Sequence, residues 1–314
     1  MLDPQARALI DLMIQRGVPP VFTQTPLEAR AAYRERRFFT QPDAPAVGVA
    51  LAEVNELNTD SGVALRLYRP MHAAVAVGQA LPTLVYFHGG GWTIGDLDTH
   101  EVLCRQLCAQ SGVAVVAVDY RMGPEHRFPA AVDDALAATR WVRQHADSLG
   151  LDGQRLAVGG DSAGGNLAAV VALMLRDAGD APLALQLLIY PATDMRALAP
   201  SHTHNGQGYL LTRDSIRYYR GHYIADEASW ADWRASPLLA HSHAALAPAL
   251  VITAGYDPLR DEGRQYADVL SAAGVKTQYI CFERQIHGFI TMGRVIDEAN
   301  TAVALCAAEL KRVL

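Results

Sequence analysis

The chain has 314 residues, 50% of them apolar and 19% charged, a balance that supports a buried core and excludes disorder. A formal charge of −6 and a pI near 6.0 leave no basic excess to neutralise phosphates, which excludes a nucleic-acid binder. Four cysteines are too few for a disulfide scaffold; Cys104 and Cys108 read as small buried apolar residues of a helix.

Ala6, Leu9, Ile10, Met13 and Ile14 repeat at the i, i+3, i+4, i+7, i+8 spacing of an amphipathic helix, which Gly17 and Pro19-Pro20 end. Asp3, Pro4, Asp11 and Arg16 interrupt any apolar export segment, and no apolar run reaches a bilayer span. The expected compartment is the cytoplasm, with reduced thiols. A second helix is predicted over 27–37, before a boundary at Gln41-Pro42-Asp43-Ala44-Pro45. Two strands, 47–57 and 63–68, flank the turn residues Asn58-Thr59-Asp60-Ser61-Gly62 and should form an antiparallel edge.

Strands and helices then alternate. Strand 83–87 precedes helix 99–110, strand 113–118 precedes helix 129–145, and strand 155–158 precedes helix 163–178. Strand 183–189 follows. After an irregular stretch come strand 250–254, helix 261–273, strand 276–282 and a last helix over about 295–314. Apolar strands alternating with helices predict an α/β fold: a mostly parallel sheet with an antiparallel first strand and helices on both faces. Residues 195–233 break the rhythm and read as a cap excursion. The expected organisation is one domain, 1–314, with a cap made of 1–45 and about 195–233. The N-terminal stripe should pack against Tyr209, Leu210, Leu211, Tyr218, Tyr219 and Tyr223 over the site.

Gly160-Asp161-Ser162-Ala163-Gly164 fits Gly-x-Ser-x-Gly between a predicted strand and a predicted helix. A sharp strand-to-helix turn exposes such a serine, small neighbours allow the close approach, and the helix N-terminus favours negative charge beside it. His88-Gly89-Gly90-Gly91-Trp92 follows another strand, and its bare backbone N–H groups suit an oxyanion. His88 and Gly89 read as support for that loop. A serine nucleophile needs a base, and His287 stands just past the last strand. The base needs an acid. Asp257 follows the neighbouring strand and is preferred over Asp194. His202/His204 and His241/His243 have His-x-His spacing, but no carboxylate or cysteine cluster completes either set. They read as solvated loop histidines, and neither a metal nor another cofactor is expected.

Taken with Gly95-Asp96-Leu97-Asp98-Thr99-His100, Asp119-Tyr120-Arg121, Pro124-Glu125, Phe128-Pro129-Ala130, Asp257-Pro258-Leu259-Arg260-Asp261-Glu262-Gly263 and His287-Gly288-Phe289, these motifs run in family order. The chain resembles the bacterial hormone-sensitive-lipase-like carboxylesterases of the α/β-hydrolase superfamily. The resemblance implies an esterase with a Ser162, His287, Asp257 triad and oxyanion donors from Gly90, Gly91 and Ala163. It implies an acidic residue at Asp161 that fixes the loop. It also implies small esters of short-to-medium acyl chains as substrates, and it leaves a homodimer open. An amidase or deacetylase shares the same acyl chemistry. A non-catalytic receptor of this fold, like the plant gibberellin receptor, would lack the histidine that His287 supplies.

Overall fold

Runs of Val, Leu and Ala form the strands β1 (Val54–Asn58), β2 (Ala64–Tyr68), β3 (Leu81–Phe87), β4 (Ala114–Asp119), β5 (Leu151–Asp161), β6 (Gln186–Ile189), β7 (Ala249–Tyr256) and β8 (Thr277–Ile286). They pair into one eight-stranded sheet ordered β1-β2-β4-β3-β5-β6-β7-β8. The computed structural model describes residues 1–44, 62–70 and 80–314, and the backbone alone of 54–58. β1 pairs with β2 antiparallel, β2 pairs with β4 antiparallel, and every other pairing is parallel. The first of the two expected edge strands is described only from Val54; residues 47–53 and 59–61 lie outside the described residues.

Nine helices accompany these strands among the described residues: α1 (Pro4–Gln15), α2 (Pro26–Thr40), α3 (Glu101–Ser111), α4 (Ala130–Gln144), α5 (Ala163–Asp177), α6 (Ser201–His204), α7 (Arg213–Tyr223), α8 (Arg260–Ala272) and α9 (Asp297–Val313). Local chemistry starts the first two. Asp3 accepts from the N–H groups of Gln5 and Ala6, and Thr25 and Glu28 form a reciprocal capping box ahead of α2.

Successive strand residues point to opposite faces, and each face has its own apolar core. Val85, Phe87, Val116, Val118, Leu156, Val158 and Val251 meet α4, α5 and α8. Leu84, Tyr86, Val115, Ala157, Leu187, Leu250 and Ile252 meet α3 and α9. Each Val, Leu, Ile or Phe side chain fully buried contributes about 1.5–3 kcal/mol. The N-terminal stripe divides. Ala6, Leu9 and Ile10 join the second core beside Ile286 and Phe289, whereas Ile14 is exposed. The 3-10 turn Val21–Thr23 packs against α7. β5 begins at Leu151, earlier than the apolar run, and β8 continues to Ile286 through Glu283, Arg284 and Gln285. β8 is a sheet edge, where polar residues are tolerated in a strand.

Candidate active site

β5 ends at Asp161 and α5 begins at Ala163, so Ser162 alone makes the turn, with φ 56° and ψ −117°. A backbone so placed costs about 1–3 kcal/mol and persists only where its surroundings enforce it. Here the glycines permit the enforcement. A Cβ at Gly164 would lie 1.8 Å from the Phe87 carbonyl oxygen, and one at Gly160 would lie 2.4 Å from the same atom. The Ser162 N–H donates to the Ile189 carbonyl at 2.8 Å, which ties the turn to β6.

His287 follows β8 directly, and Asp257 follows β7. Parallel strands put both beside Ser162. His287 Nε2 is 2.9 Å from Ser162 Oγ, and His287 Nδ1 is 2.7 Å from Asp257 Oδ2. The carboxylate acceptor sets the ring proton on Nδ1, so Nε2 accepts from the serine hydroxyl. Asp257 is fully buried, and its Oδ1 accepts from the Leu259 N–H at 2.8 Å. Asp194 pairs instead with the Arg196 guanidinium at 2.9 Å.

The glycine loop lies at the end of β3. Gly90 and Gly91 have φ of 125° and 59°. A Cβ at Gly91 would sit 2.3 Å from the Tyr219 ring. The N–H groups of Gly90, Gly91 and Ala163 make no turn or loop hydrogen bond among the described residues. The preceding residues anchor the loop. The Gly89 N–H donates to Asp161 Oδ1 at 2.9 Å, and the Tyr86 hydroxyl donates to the same oxygen at 2.8 Å. Burial opposes ionisation of Asp161, yet the adjacent His100 and the Tyr86 hydroxyl hold its carboxyl below the ordinary value. His88 is buried, stacked 4.4 Å from the Tyr120 ring, and its Nδ1 meets the Gly89 carbonyl at 2.8 Å. Burial, then the neighbouring His100, pushes its pKa down to about 4.

A cavity of about 700 Å³ opens over Ser162, His287, Gly90 and Gly91. Residues 1–44 supply Leu9, Met13, Tyr33 and Phe39 to its wall; residues 195–233 supply Tyr209, Leu210, Leu211 and Tyr219. Apolar walls above a few polar groups suit a small organic ligand.

The histidine pairs differ from the expectation of solvated loops. His202 is buried with Nε2 2.5 Å from Glu262, and His243 is buried with Nε2 2.9 Å from the Pro237 carbonyl. His204 and His241 alone of the four are exposed. Glu262 arrives on α8 from 60 residues away, a partner that local spacing does not reveal. Burial raises its pKa, even though His202 pulls the other way. No group of three or more potential metal-ligating side chains occurs among the described residues. None of the described helices is long and apolar enough to cross a membrane. No local pattern gives Tyr86 or His100 a role; only their contacts with Asp161, from separate elements, do so.

The family described as alpha/beta hydrolase fold matches residues 84–291. The carboxylic ester hydrolase LipN of Mycobacterium tuberculosis is 40% identical over 323 residues, spanning 99% of this chain and 84% of that protein. The ethyl acetate hydrolase of Pseudomonas putida is 40% identical, with 92% of each chain covered. Among solved structures, the ester-hydrolase EH1AB1 from the metagenome of Lake Arreo, in complex with a bipyridine phosphonate derivative, superposes with a TM-score of 0.93. It is 42% identical, and 99% of each chain is covered.

Proposed function

The chain belongs to the α/β-hydrolase family, and on that footing we propose that it is a cofactor-free serine carboxylesterase acting on short-to-medium acyl esters. The observation that carries the proposal is the hydrogen-bonded line from Ser162 through His287 to buried Asp257 under an apolar cavity. Ser162 Oγ attacks the ester carbonyl carbon while its proton passes to His287 Nε2. Asp257 keeps the ring proton on Nδ1 and stabilises the imidazolium. The tetrahedral oxyanion accepts from the N–H groups of Gly90, Gly91 and Ala163. Collapse breaks the C–O bond, and the alcohol leaves with the proton from His287. Water then attacks the acyl carbon and gives a proton to His287, which returns it to Ser162 Oγ as the acyl C–Oγ bond breaks and the acid leaves.

His88, Gly89 and Asp161 hold the oxyanion loop in this scheme. Residues 1–45 and about 195–233 serve as a cap that shapes the acyl pocket on a single domain. Their aromatic and aliphatic side chains around the cavity support that role. The name of the Pseudomonas putida relative supports the short end of the acyl range. Four free cysteines suit residence in the reducing cytoplasm.

A panel of para-nitrophenyl esters tests the proposal. Wild-type protein should hydrolyse acetate to octanoate esters, and Ser162→Ala should lower kcat by about 10⁴-fold or more while remaining folded. Equal turnover by the variant would remove Ser162 from the mechanism.

A further inference from the structure

Asp257, Pro258 and Leu259 form a buried bend between β7 and α8, and buried carbonyls require donors. The start of the 195–233 excursion provides them. Asn205 Nδ2 donates to the Gly255 and Asp257 carbonyls, each at 3.1 Å. Ser201 Oγ donates to the Pro258 carbonyl at 2.6 Å. Arg260 adds its backbone N–H to the Asp257 carbonyl and its guanidinium to the Gly255 carbonyl, both at 3.2 Å. The grip is mutual. The Ser201 N–H donates to Asp261 Oδ2 at 2.9 Å, and His202 meets Glu262 at 2.5 Å. Glu262 Oε1 also accepts from the Thr193 N–H at 2.7 Å, which ties the bend to the loop after β6.

We infer that Asn205 and Ser201 are positioning residues that hold Asp257 against His287. The inference rests on the esterase proposal above. Neither side chain is among those that line the cavity, so neither acts by touching substrate. Each acts on the backbone that carries the acid. A displacement of about an ångström in a catalytic group costs up to about 10²-fold in rate. The loss falls on kcat, because Asp257 matters most as the imidazolium forms. The excursion therefore plays two roles. Ser201 and Asn205 support the acid from behind, while Tyr209, Leu210, Leu211 and Tyr219 wall the pocket.

Steady-state kinetics on para-nitrophenyl acetate and hexanoate compare the wild-type chain with Asn205→Ala, Ser201→Ala and Ser201→Thr. Asn205→Ala and Ser201→Ala should lower kcat about 10-fold or more on both esters, with KM within about three-fold. Ser201→Thr keeps the hydroxyl and should recover most of the rate. In an Asp257→Asn background, Asn205→Ala should add less than about three-fold, since the carboxylate it positions is gone. Unchanged kcat, a loss confined to the longer ester, or full additivity with Asp257→Asn would overturn the inference. Should Asn205→Ala fail to fold, the Ser201 pair decides. A wild-type chain inert toward both esters overturns the esterase proposal itself, and this inference with it.

Discussion

The floor and the walls of the cavity are built by different physics. In the floor, at the C-terminal ends of β3, β5, β7 and β8, backbone packs on backbone. Gly160 and Gly164 admit no Cβ, and Gly90 would carry one 2.0 Å from the Ile94 carbonyl oxygen. The walls, residues 1–44 and 195–233, have a few backbone bonds to the body, such as Arg294 N–H to the Thr40 carbonyl and Phe128 N–H to the Tyr223 carbonyl, and are otherwise tethered by side chains. Arg30 reaches the carbonyls of Thr93 and Gly123 and the carboxylate of Glu125, and Arg34 pairs with Asp96. Arg37 donates to the Asp98 carbonyl at 2.8 Å. Ile14, Phe38 and Phe39 of the walls stay exposed. A floor so tightly packed tolerates almost no substitution, whereas walls on polar tethers can vary. Under the proposed function, chemistry falls to the floor and selectivity to the walls.

The sharpest division lies between two acids, Asp257 after β7 and Asp194 after β6. Asp257→Asn should lower kcat by about 10⁴-fold, because the amide sets the wrong tautomer on His287. Asp194→Asn breaks only the pair with Arg196, which is 39% exposed, and should cost less than about five-fold. Matched kinetics on one ester compare them, and the reverse ranking would exchange the acids.

Acid should loosen the floor through His88. Its pKa is about 4 in the folded chain, against about 6.5 for a free imidazole. The folded state therefore favours the neutral ring. That contribution is fully present above about pH 6.5 and is lost as pH falls toward about 4, amounting to about 3 kcal/mol. Urea unfolding at neutral pH and near pH 4 should show this loss, and His88→Asn should show less of it. The same pH dependence in both proteins would remove His88 as the cause.

The smallest effects belong to the walls. Met13→Trp and Leu211→Trp place bulk in the cavity from its two wall segments. Each should raise KM for the octanoate ester by about five-fold or more and leave kcat on the acetate within about two-fold. An unaltered length profile would take that segment out of the pocket.

The sequence made the floor legible because its determinants are local. Gly-x-Ser-x-Gly and the triple glycine state a turn and a bare backbone within five residues each, and the apolar strand runs predict the parallel order. The walls were legible as two N-terminal helices and an interruption at 195–233, but not in how they pack. Nothing in the spacing of Ala6, Leu9, Ile10 and Ile14 says that three of them join the sheet core while Ile14 faces solvent. The His202 pairing with Glu262 and the Asn205 bonds to the acid bend join segments 50 to 60 residues apart. Such contacts follow from the placement of α8, which periodicity does not encode. β8 runs past its predicted end for a related reason, because edge position relaxes the demand for apolar residues.

Labelling with a small serine-directed phosphonate, followed by peptide mass spectrometry, tests the central claim most directly. A single adduct on Ser162 is predicted, with the labelling rate lowered by about 10³-fold or more in His287→Ala, since the hydroxyl is a weak nucleophile without its base. An adduct on another serine, or labelling of Ser162 at the same rate without His287, would contradict the account.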